Sequence, residues 1–214
     1  MKNSLLLLLL FLSQLALAQN NPDGELVDYK DVAGNPYLFK DWSDGVIRFT
    51  SGRSLNQFKL KFDCARNQLV LQFDGSSFAA ESKVREFVMY PKSGKKKDSL
   101  IFRKGFPAID KSSDNTYYQV LFEGKVILLR LFARDIIEEK QIVSTSNNKR
   151  MEEVERFYFL MDGAMSLLPQ DRNDLLKLFP NHKDPLTQFV SERQLKMRSA
   201  EDFLEFAKKY NELL

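Results

Sequence analysis

The hydrophobic pattern of this 214-residue chain changes its period once, near Pro169. Before Pro169, apolar and polar residues alternate in short runs separated by turn signals such as Asp44-Gly45, which is typical of antiparallel strands joined by hairpins. After Pro169, apolar residues recur every three or four positions, as on one side of a helix. The sequence therefore predicts an α+β fold: a mainly antiparallel β-sheet or barrel-like body over residues 19–168, then about three short helices over residues 169–214.

Eight runs in the body have the length and alternation of strands, namely residues 46–50, 57–63, 69–73, 84–90, 99–103, 117–123, 125–134 and 155–161. After the turn Asp162-Gly163, residues 164–168 continue this region. The run from Val126 to Leu129 is apolar on both faces, so we expect its strand at the centre of the sheet or barrel. The polar stretch 144–150 is expected to be a loop.

The first two helices are predicted from proline and acidic residues. Residues 174–179 form a short helix that Pro180 stops. Asp184 is expected to cap the second helix, with Pro185 at its first position.

The third helix is predicted to begin at Ser199, whose hydroxyl can cap it while Asp202 completes a capping box. Its apolar stripe consists of Phe203, Phe206, Ala207 and Tyr210. Such a stripe needs a surface to cover, so we expect the helices to pack on an open face or end of the β-body. The alternative is that they form a partner-binding module of their own.

The N-terminus has the pattern of a cleaved signal peptide over residues 1–18. A short positive segment with Lys2 precedes an apolar run, and Ala16-Leu17-Ala18 supplies the small residues that signal peptidase requires. Cleavage is expected between Ala18 and Gln19, which makes the protein exported and either periplasmic or secreted. No other segment approaches membrane-spanning length, so no transmembrane segment is expected after cleavage.

Composition restricts the chemistry. A charged fraction of 29% beside 18 Phe excludes disorder as the main state, and a net charge of +3 is too weak to imply a charged partner. The chain has one histidine and one cysteine. Zinc and haem sites and Ser-His-Asp or thiol–imidazole machinery mostly need two or more such residues, so we expect no catalytic constellation, metal or cofactor.

Cys64 has no partner for a disulfide within its chain, so packing alone must hold an exported fold together. It continues the alternation of Phe58, Leu60 and Phe62, which predicts a buried structural thiol. The alternative is a reactive or intermolecular thiol.

Three short patterns resemble a group of uncharacterised exported bacterial proteins. They are Gly-x-Pro-Tyr-Leu at residues 34–38, a hairpin closed by Gly124 before Lys-Val-Ile-Leu-Leu, and an Asp-Gly hairpin leading into Leu-Leu-Lys-Leu-Phe-Pro and a final Lys-Tyr-Asn. In that group a β-rich body is followed by a short helical tail. The resemblance covers most of residues 34–211; it implies the fold and export, and it carries no activity or site.

Few residues suggest catalysis. Ser-x-x-Lys occurs at Ser93/Lys96 and at Ser146/Lys149, but both pairs fall in predicted loops without a partner motif. His182 is expected to be a solvated surface residue. The pairs Glu138-Glu139 and Glu152-Glu153 would point to opposite faces of a strand, so they do not form a glycosidase pair.

A basic turn is the candidate binding site. If its flanking strands pair, the positive charges gather at one end of a hairpin and could hold an anionic ligand. Its residues are Lys92, Lys95, Lys96, Lys97, Arg103 and Lys104, backed by Lys83 and Arg85. The favoured interpretation of this turn is nevertheless a solubility role, since lysines at turns and edges prevent strand-to-strand aggregation. Nucleic acid is not expected as a partner, because the turn lacks interleaved aromatics.

A surplus of aromatic residues is a second candidate feature. Most should fill the core, and a minority could line a cavity or a glycan platform. They are Tyr37, Phe39, Trp42, Tyr117, Tyr118, Phe157, Tyr158 and Phe159.

These features favour a non-catalytic exported protein with a binding or interaction role in the cell envelope or extracellular space. Its partner would be an envelope protein or an anionic polymer. The alternative is a carrier of a small apolar ligand inside the β-body, and a carboxylate-dependent hydrolase comes third.

Overall fold

The computed structural model describes residues 26–92, 99–140 and 147–214. The predicted signal peptide, its cleavage point at Ala18 and Gln19, and Lys95, Lys96 and Lys97 lie outside the described residues.

Nine of the described strands form one large sheet. Their bounds are β1 Val32–Ala33, β2 Asp44–Phe49, β3 Ser54–Leu55, β7 Val84–Tyr90, β8 Leu100–Arg103, β9 Tyr118–Glu123, β10 Ile127–Lys140, β11 Asn147–Met161 and β12 Ala164–Leu168. The order is β1-β11-β10-β9-β8-β7-β2-β3, with β12 also paired to β11. All of these pairs are antiparallel except β1 with β11.

A second, smaller sheet is made of three strands, β4 Lys59–Asp63, β5 Gln68–Phe73 and β6 Ser76–Ala79, paired in that order. Its alternation explains why it can cover the large sheet. Leu60 and Phe62 lie opposite Leu71 and Leu69 and share one apolar face with them, so that face is buried against the large sheet.

The C-terminal segment contains three α-helices: α1 Arg172–Lys177, α2 Lys183–Glu192 and α3 Ala200–Leu213. A 3-10 turn, Pro180–His182, joins α1 to α2. Ser199 caps α3 by accepting a hydrogen bond from the Asp202 backbone N–H, as predicted. The prediction that Asp184 caps α2 is wrong, because Asp184 is the second residue of that helix and the capping position is held by His182.

The small sheet and the helices cover the same face of the large sheet, side by side. We call this the inner face. Under the helices, Phe157 and Phe159 meet Phe203 and Phe206 in one core. Under the small sheet, Phe62, Phe87 and Phe102 form a second core, with the rings of Phe87 and Phe102 stacked 4.8 Å apart. The prediction that the helices pack on the β-body is therefore confirmed.

The outer face of the large sheet carries a third, smaller core. Tyr118, Leu129, Leu131 and Tyr158 form it, and the loop between β8 and β9 covers part of it with Phe106. Because side chains alternate along a strand, Tyr158 lies on the outer face while its neighbours Phe157 and Phe159 lie on the inner one. Strand β10 is buried on both sides at Leu128 and Leu129, and it lies inside the sheet as predicted.

The strands β10 and β11 extend much further than the sequence predicted. They pair from Ile127 opposite Leu160 as far as Lys140 opposite Asn147. The predicted loop over 144–150 is therefore wrong from Asn147 onward. Toward residues 140 and 147, both faces of the β10–β11 ribbon are largely exposed to water. No alternation of apolar and polar residues is needed there, so the sequence pattern did not predict the strands.

The body also contains strands that the sequence did not reveal. β3 has two residues and β6 has four, most of them exposed, so both lack a buried apolar period. None of the described helices is long and apolar enough to cross a membrane.

Candidate ligand cleft

The described residues of the basic hairpin do not bring their charges together. β7 pairs with β8 from Met89 opposite Leu100 to Glu86 opposite Arg103. Lys92 follows the end of β7 nearest the turn, whereas Arg103 and Lys104 lie at the opposite end of the hairpin. The prediction that these cations gather at one end is therefore wrong; the register of the hairpin separates them.

Arg103 is engaged by two carboxylates. Its guanidinium donates to Glu86 at 2.6 Å and to Glu123 at 2.6 Å, and these bonds raise the arginine pKa above its ordinary value. Lys104 donates to the Ser82 carbonyl at 2.6 Å. Arg103 thus belongs to an ion-pair network on the outer face and not to a free anion site.

A cleft lies instead where β9 stops pairing with β10. The β9–β10 register ends at Gln119 opposite Arg130, and beyond it the β4–β5 turn approaches β10, with the Arg134 N–H donating to the Cys64 carbonyl at 3.2 Å. The cleft has a volume of about 610 Å³. Its walls are the β4–β5 turn and the β8–β9 loop, and its floor is the outer face of β10, β11 and β12.

The β4–β5 turn is fixed by a buried carboxylate. Asp63 accepts hydrogen bonds from the backbone N–H groups of Ala65 and Arg66 and from the Tyr29 hydroxyl, at 2.9, 3.1 and 2.6 Å. Burial and the bond to Asp63 raise the pKa of Tyr29. Ala65 and Arg66 line the cleft, so Asp63 positions this wall without facing the ligand space itself.

The second wall is held by Asn67. Its side-chain amide donates to the Tyr117 carbonyl at 2.9 Å and accepts from the Tyr117 N–H at 2.6 Å. Asn67 has a φ of 52°, which asparagine tolerates better than most residues. This pair of bonds ties the end of the β8–β9 loop, which carries Asp110, Lys111 and Ser112, to the β4–β5 turn.

The floor is apolar but contains one tyrosine, Tyr158, whose ring packs on a second, buried one. Leu131, Tyr158 and Leu167 line it, and Leu167 is 43% exposed. The ring of Tyr118 meets that of Tyr158 edge-on at 5.5 Å. The Tyr118 hydroxyl is buried without a hydrogen-bond partner among the described residues, although it is close enough to Ser112 for that hydroxyl to affect its pKa.

Both tyrosines stay protonated at neutral pH. Burial raises the pKa of Tyr158 to about 12, and burial also raises the pKa of Tyr118. A protonated phenol can donate a hydrogen bond. Of the two, Tyr158 lines the cleft, which therefore offers a phenol donor beside an apolar surface.

Three cations and two carboxylates surround this floor. Arg156 lies 3.9 Å from Asp135 across the β10–β11 ribbon. Arg66 and Lys111 are exposed on the two walls, and neither forms an ion pair with a described residue. The fifth charge is Asp110.

Cys64 lies in the wall of the cleft but is only 2% exposed. Burial raises the pKa of its thiol to about 12, against a smaller opposing effect of Arg134. The prediction of a buried thiol is confirmed. A thiol held in its protonated form is a weak nucleophile.

The other candidate residues do not meet at the cleft. His182 is half-buried with its ring 5.7 Å from that of Tyr210, so the expectation of a solvated histidine is wrong. Ser93, Lys96 and Ser146 lie outside the described residues. Among the described residues, no group of three or more His, Cys, Asp and Glu side chains is placed to hold a metal ion.

The β10–β11 register places two carboxylates opposite each other that the sequence spacing did not connect. Asp135 lies directly opposite Glu152, and both are exposed. Glu153 lies on the other face, where it pairs with Arg134 at 2.8 Å. Adjacent glutamates on this strand therefore point to opposite faces, as predicted.

The sequence indicated some residues of the cleft but not that they lie close together. Tyr118 and Tyr158 belong to the aromatic surplus, of which a minority was expected to line a cavity, and Arg66-Asn67 has the composition of a turn. No sequence pattern predicted that the long β8–β9 loop contributes to a site. Only the register and the Asn67–Tyr117 bonds bring these segments together.

Comparison with protein-family models, curated proteins and solved structures finds no match to this chain. The described residues define an α+β protein whose large sheet carries a small sheet and three helices on its inner face and a mixed polar and apolar cleft on its outer side.

Proposed function

We propose that this chain is a non-catalytic exported binding protein that holds a small molecule in the outer cleft. The observation that carries the proposal is the cleft itself. Its volume of about 610 Å³ falls within the roughly 300–1,000 Å³ of small-molecule sites, and it combines an apolar floor with a few polar groups.

The packing of the β-body favours a ligand in the outer cleft over the carrier alternative, in which the ligand lies inside the β-body. The space between the two sheets is filled by the protein's own rings, since Phe62 lies 4.9 Å from Phe102 and 5.6 Å from Phe87. Such close packing leaves no room for a ligand without displacing the core. The pattern of residues 1–18 supports the proposal of export, and an exported protein would bind its ligand in the envelope or outside the cell.

Native mass spectrometry of the protein purified from its own host tests this function. We expect a reproducible additional mass of a small molecule on the folded protein. The variant Ala65→Trp fills the cleft from its wall and should lose that mass, whereas Ala108→Trp, on the same loop system but outside the cleft lining, should keep it.

Two results would contradict the proposal. One is a bound mass that Ala65→Trp retains, which would place the ligand elsewhere. The other is a wild-type protein without bound mass that copurifies with a second protein, which would favour an interaction role in the envelope.

A further inference from the structure

The floor of the cleft forms a continuous apolar strip along the outer face. Tyr158 lies opposite Leu167 in the β11–β12 register, and Leu160 lies opposite Met165 two positions further on. Leu160 and Met165 are partly buried and pack on the same core. A ligand on this floor can therefore extend an apolar segment past Tyr158 toward the end of the sheet.

One positive group lies at the other end of that strip, and two more line the walls of the cleft. Arg156 precedes Tyr158 by two residues on β11 and thus lies on the same face, opposite Leu131. Arg66 and Lys111 line the cleft from its two walls, the β4–β5 turn and the β8–β9 loop. With Asp110 and Asp135 counted, the cleft lining carries one net positive charge, because three cations face two carboxylates.

The cations of the cleft are not saturated by its carboxylates. The Arg156–Asp135 contact of 3.9 Å is too long for a hydrogen bond, and both side chains are more than two-fifths exposed, at 41% and 57%. By contrast, Arg103 on the same face makes bonds of 2.6 Å to its carboxylates. A guanidinium held this loosely keeps donors available for an incoming anion.

We propose that the cleft binds an amphiphilic organic anion, with its apolar part on Leu131, Tyr158 and Leu167 and its anionic group held by Arg66, Lys111 and Arg156. This inference rests on the proposed binding function and specifies its ligand class. The Tyr158 hydroxyl supplies a further donor to an oxygen of the ligand. Neutral and cationic molecules of the same apolar shape bind less tightly.

The test uses probes that share an apolar part and differ in charge. 1-Anilinonaphthalene-8-sulfonate is an anion, and N-phenyl-1-naphthylamine is the same ring system without the sulfonate. Fluorescence titration gives the affinity of each, and decanoate, decanol and decyltrimethylammonium serve as competitors. We expect the sulfonate to bind at least about tenfold more tightly than the amine, a difference of 1.4 kcal/mol. Decanoate should be the best competitor.

Charge-neutralising variants locate the anionic group. Lys111→Gln with Arg156→Gln should weaken the sulfonate and decanoate about tenfold and leave the neutral amine within twofold, because only the anions make ionic contacts with these two side chains. Lys40→Gln with Lys125→Gln removes the same charge from exposed positions outside the cleft lining and should change neither. Circular dichroism of each variant establishes that it is folded.

The outcomes separate this inference from the function beneath it. If all probes lose affinity in Ala65→Trp but charge makes no difference, the binding function stands and the anion inference is overturned. Tighter competition by the cationic amphiphile overturns it as well. If Ala65→Trp binds every probe as the wild type does, the cleft is not the binding site and both proposals fail.

Discussion

Glu86 shows how a single buried carboxylate organises the outer face of the large sheet. It is only 6% exposed and bonds to Arg48 and Arg103 from the two neighbouring strands. Burial acts to raise its pKa, but the hydrogen bonds and charges of the two arginines outweigh burial, so the pKa of Glu86 lies below its ordinary value. The carboxylate form therefore stabilises the folded state.

We expect Glu86→Gln to lower the free energy of unfolding by about 2 kcal/mol at pH 7, the usual contribution of hydrogen bonds to charged groups. Because the folded-state pKa is lowered, this contribution is complete above the unfolded-state pKa of about 4.3 and disappears as the pH falls through the folded value. Urea unfolding at pH 7 and pH 3 measures both. Glu123→Gln removes the half-exposed partner of Arg103 and should cost less than about 1 kcal/mol. An equal loss for Glu86→Gln at both pH values would contradict the prediction.

The reactivity of the Cys64 thiol tests whether the wall of the cleft stays closed. Because its thiol is 2% exposed and its pKa is raised to about 12, iodoacetamide at pH 8 should alkylate the folded protein at least about 100-fold more slowly than the urea-unfolded chain. Mass spectrometry of timed samples gives both rates. Similar rates in the two states would mean that the β4–β5 turn opens readily, contrary to its fixed hydrogen bonds.

At the scale of elements, the approach of the two sheets depends on a glycine. A Cβ added at Gly45 of β2 would lie 2.2 Å from the Val88 carbonyl oxygen and 2.3 Å from Leu60 of the small sheet. The first obstacle is backbone, which cannot move without breaking the β2–β7 pairing. At Gly124 the obstacles are side chains, namely the end of the Asn211 side chain of α3 at 2.4 Å and the Phe122 ring at 2.9 Å.

Gly45→Ala should therefore destabilise the protein by about 3 kcal/mol, at the upper end of overpacking effects. Gly124→Ala is the matched control, and it should cost about 1 kcal/mol because Asn211 can rotate away after losing its hydrogen bond from the Lys125 N–H. Urea unfolding measures both variants. If the order of the two losses were reversed, the close contact of the sheets at Gly45 would not be a determinant of the fold.

At the scale of the whole molecule, the large sheet connects two covering layers, the helices and the small sheet, which come from different parts of the chain. The helices cover Phe157 and Phe159, and the small sheet covers Phe87 and Phe102. Strand β10 contributes to both cores, with Leu128 in the first and Phe132 in the second. Loss of either layer exposes part of the same sheet, so we expect the protein to unfold as one cooperative unit.

Phe203→Ala tests this coupling from the helical side. Phe203 is fully buried and stacks on Phe157 at 4.3 Å, so its truncation should cost about 4 kcal/mol. Circular dichroism at 222 nm follows the helices, and fluorescence of the single tryptophan, Trp42, follows the small sheet, where the Lys61 ammonium lies 5.0 Å from its ring. Both signals should shift to the same lower temperature. A Trp42 transition that stays at the wild-type temperature would show two independent units.

The sequence by itself determined the elements whose faces differ in polarity. Alternating Leu60, Phe62 and Cys64 predicted a strand with one buried face, and the stripe of Phe203 and Phe206 predicted a helix packed on a sheet. These patterns are local, since hydrophobic burial acts on each face of an element separately. Where neither face is buried, as in the β10–β11 ribbon near residues 140 and 147, this alternation is absent. The predicted strands therefore ended too early there.

Only the tertiary structure decided which side chains share a site. The β7–β8 register separated Lys92 from Arg103, and the bonds of Asn67 to Tyr117 brought together the turn and the loop that enclose the cleft. Register and contacts between distant segments depend on how whole faces fit together, which no short stretch of sequence encodes. Lys95, Lys96 and Lys97 of the predicted basic turn lie outside the described residues, and the cations that the tertiary structure brings to one cleft are residues 66, 111 and 156.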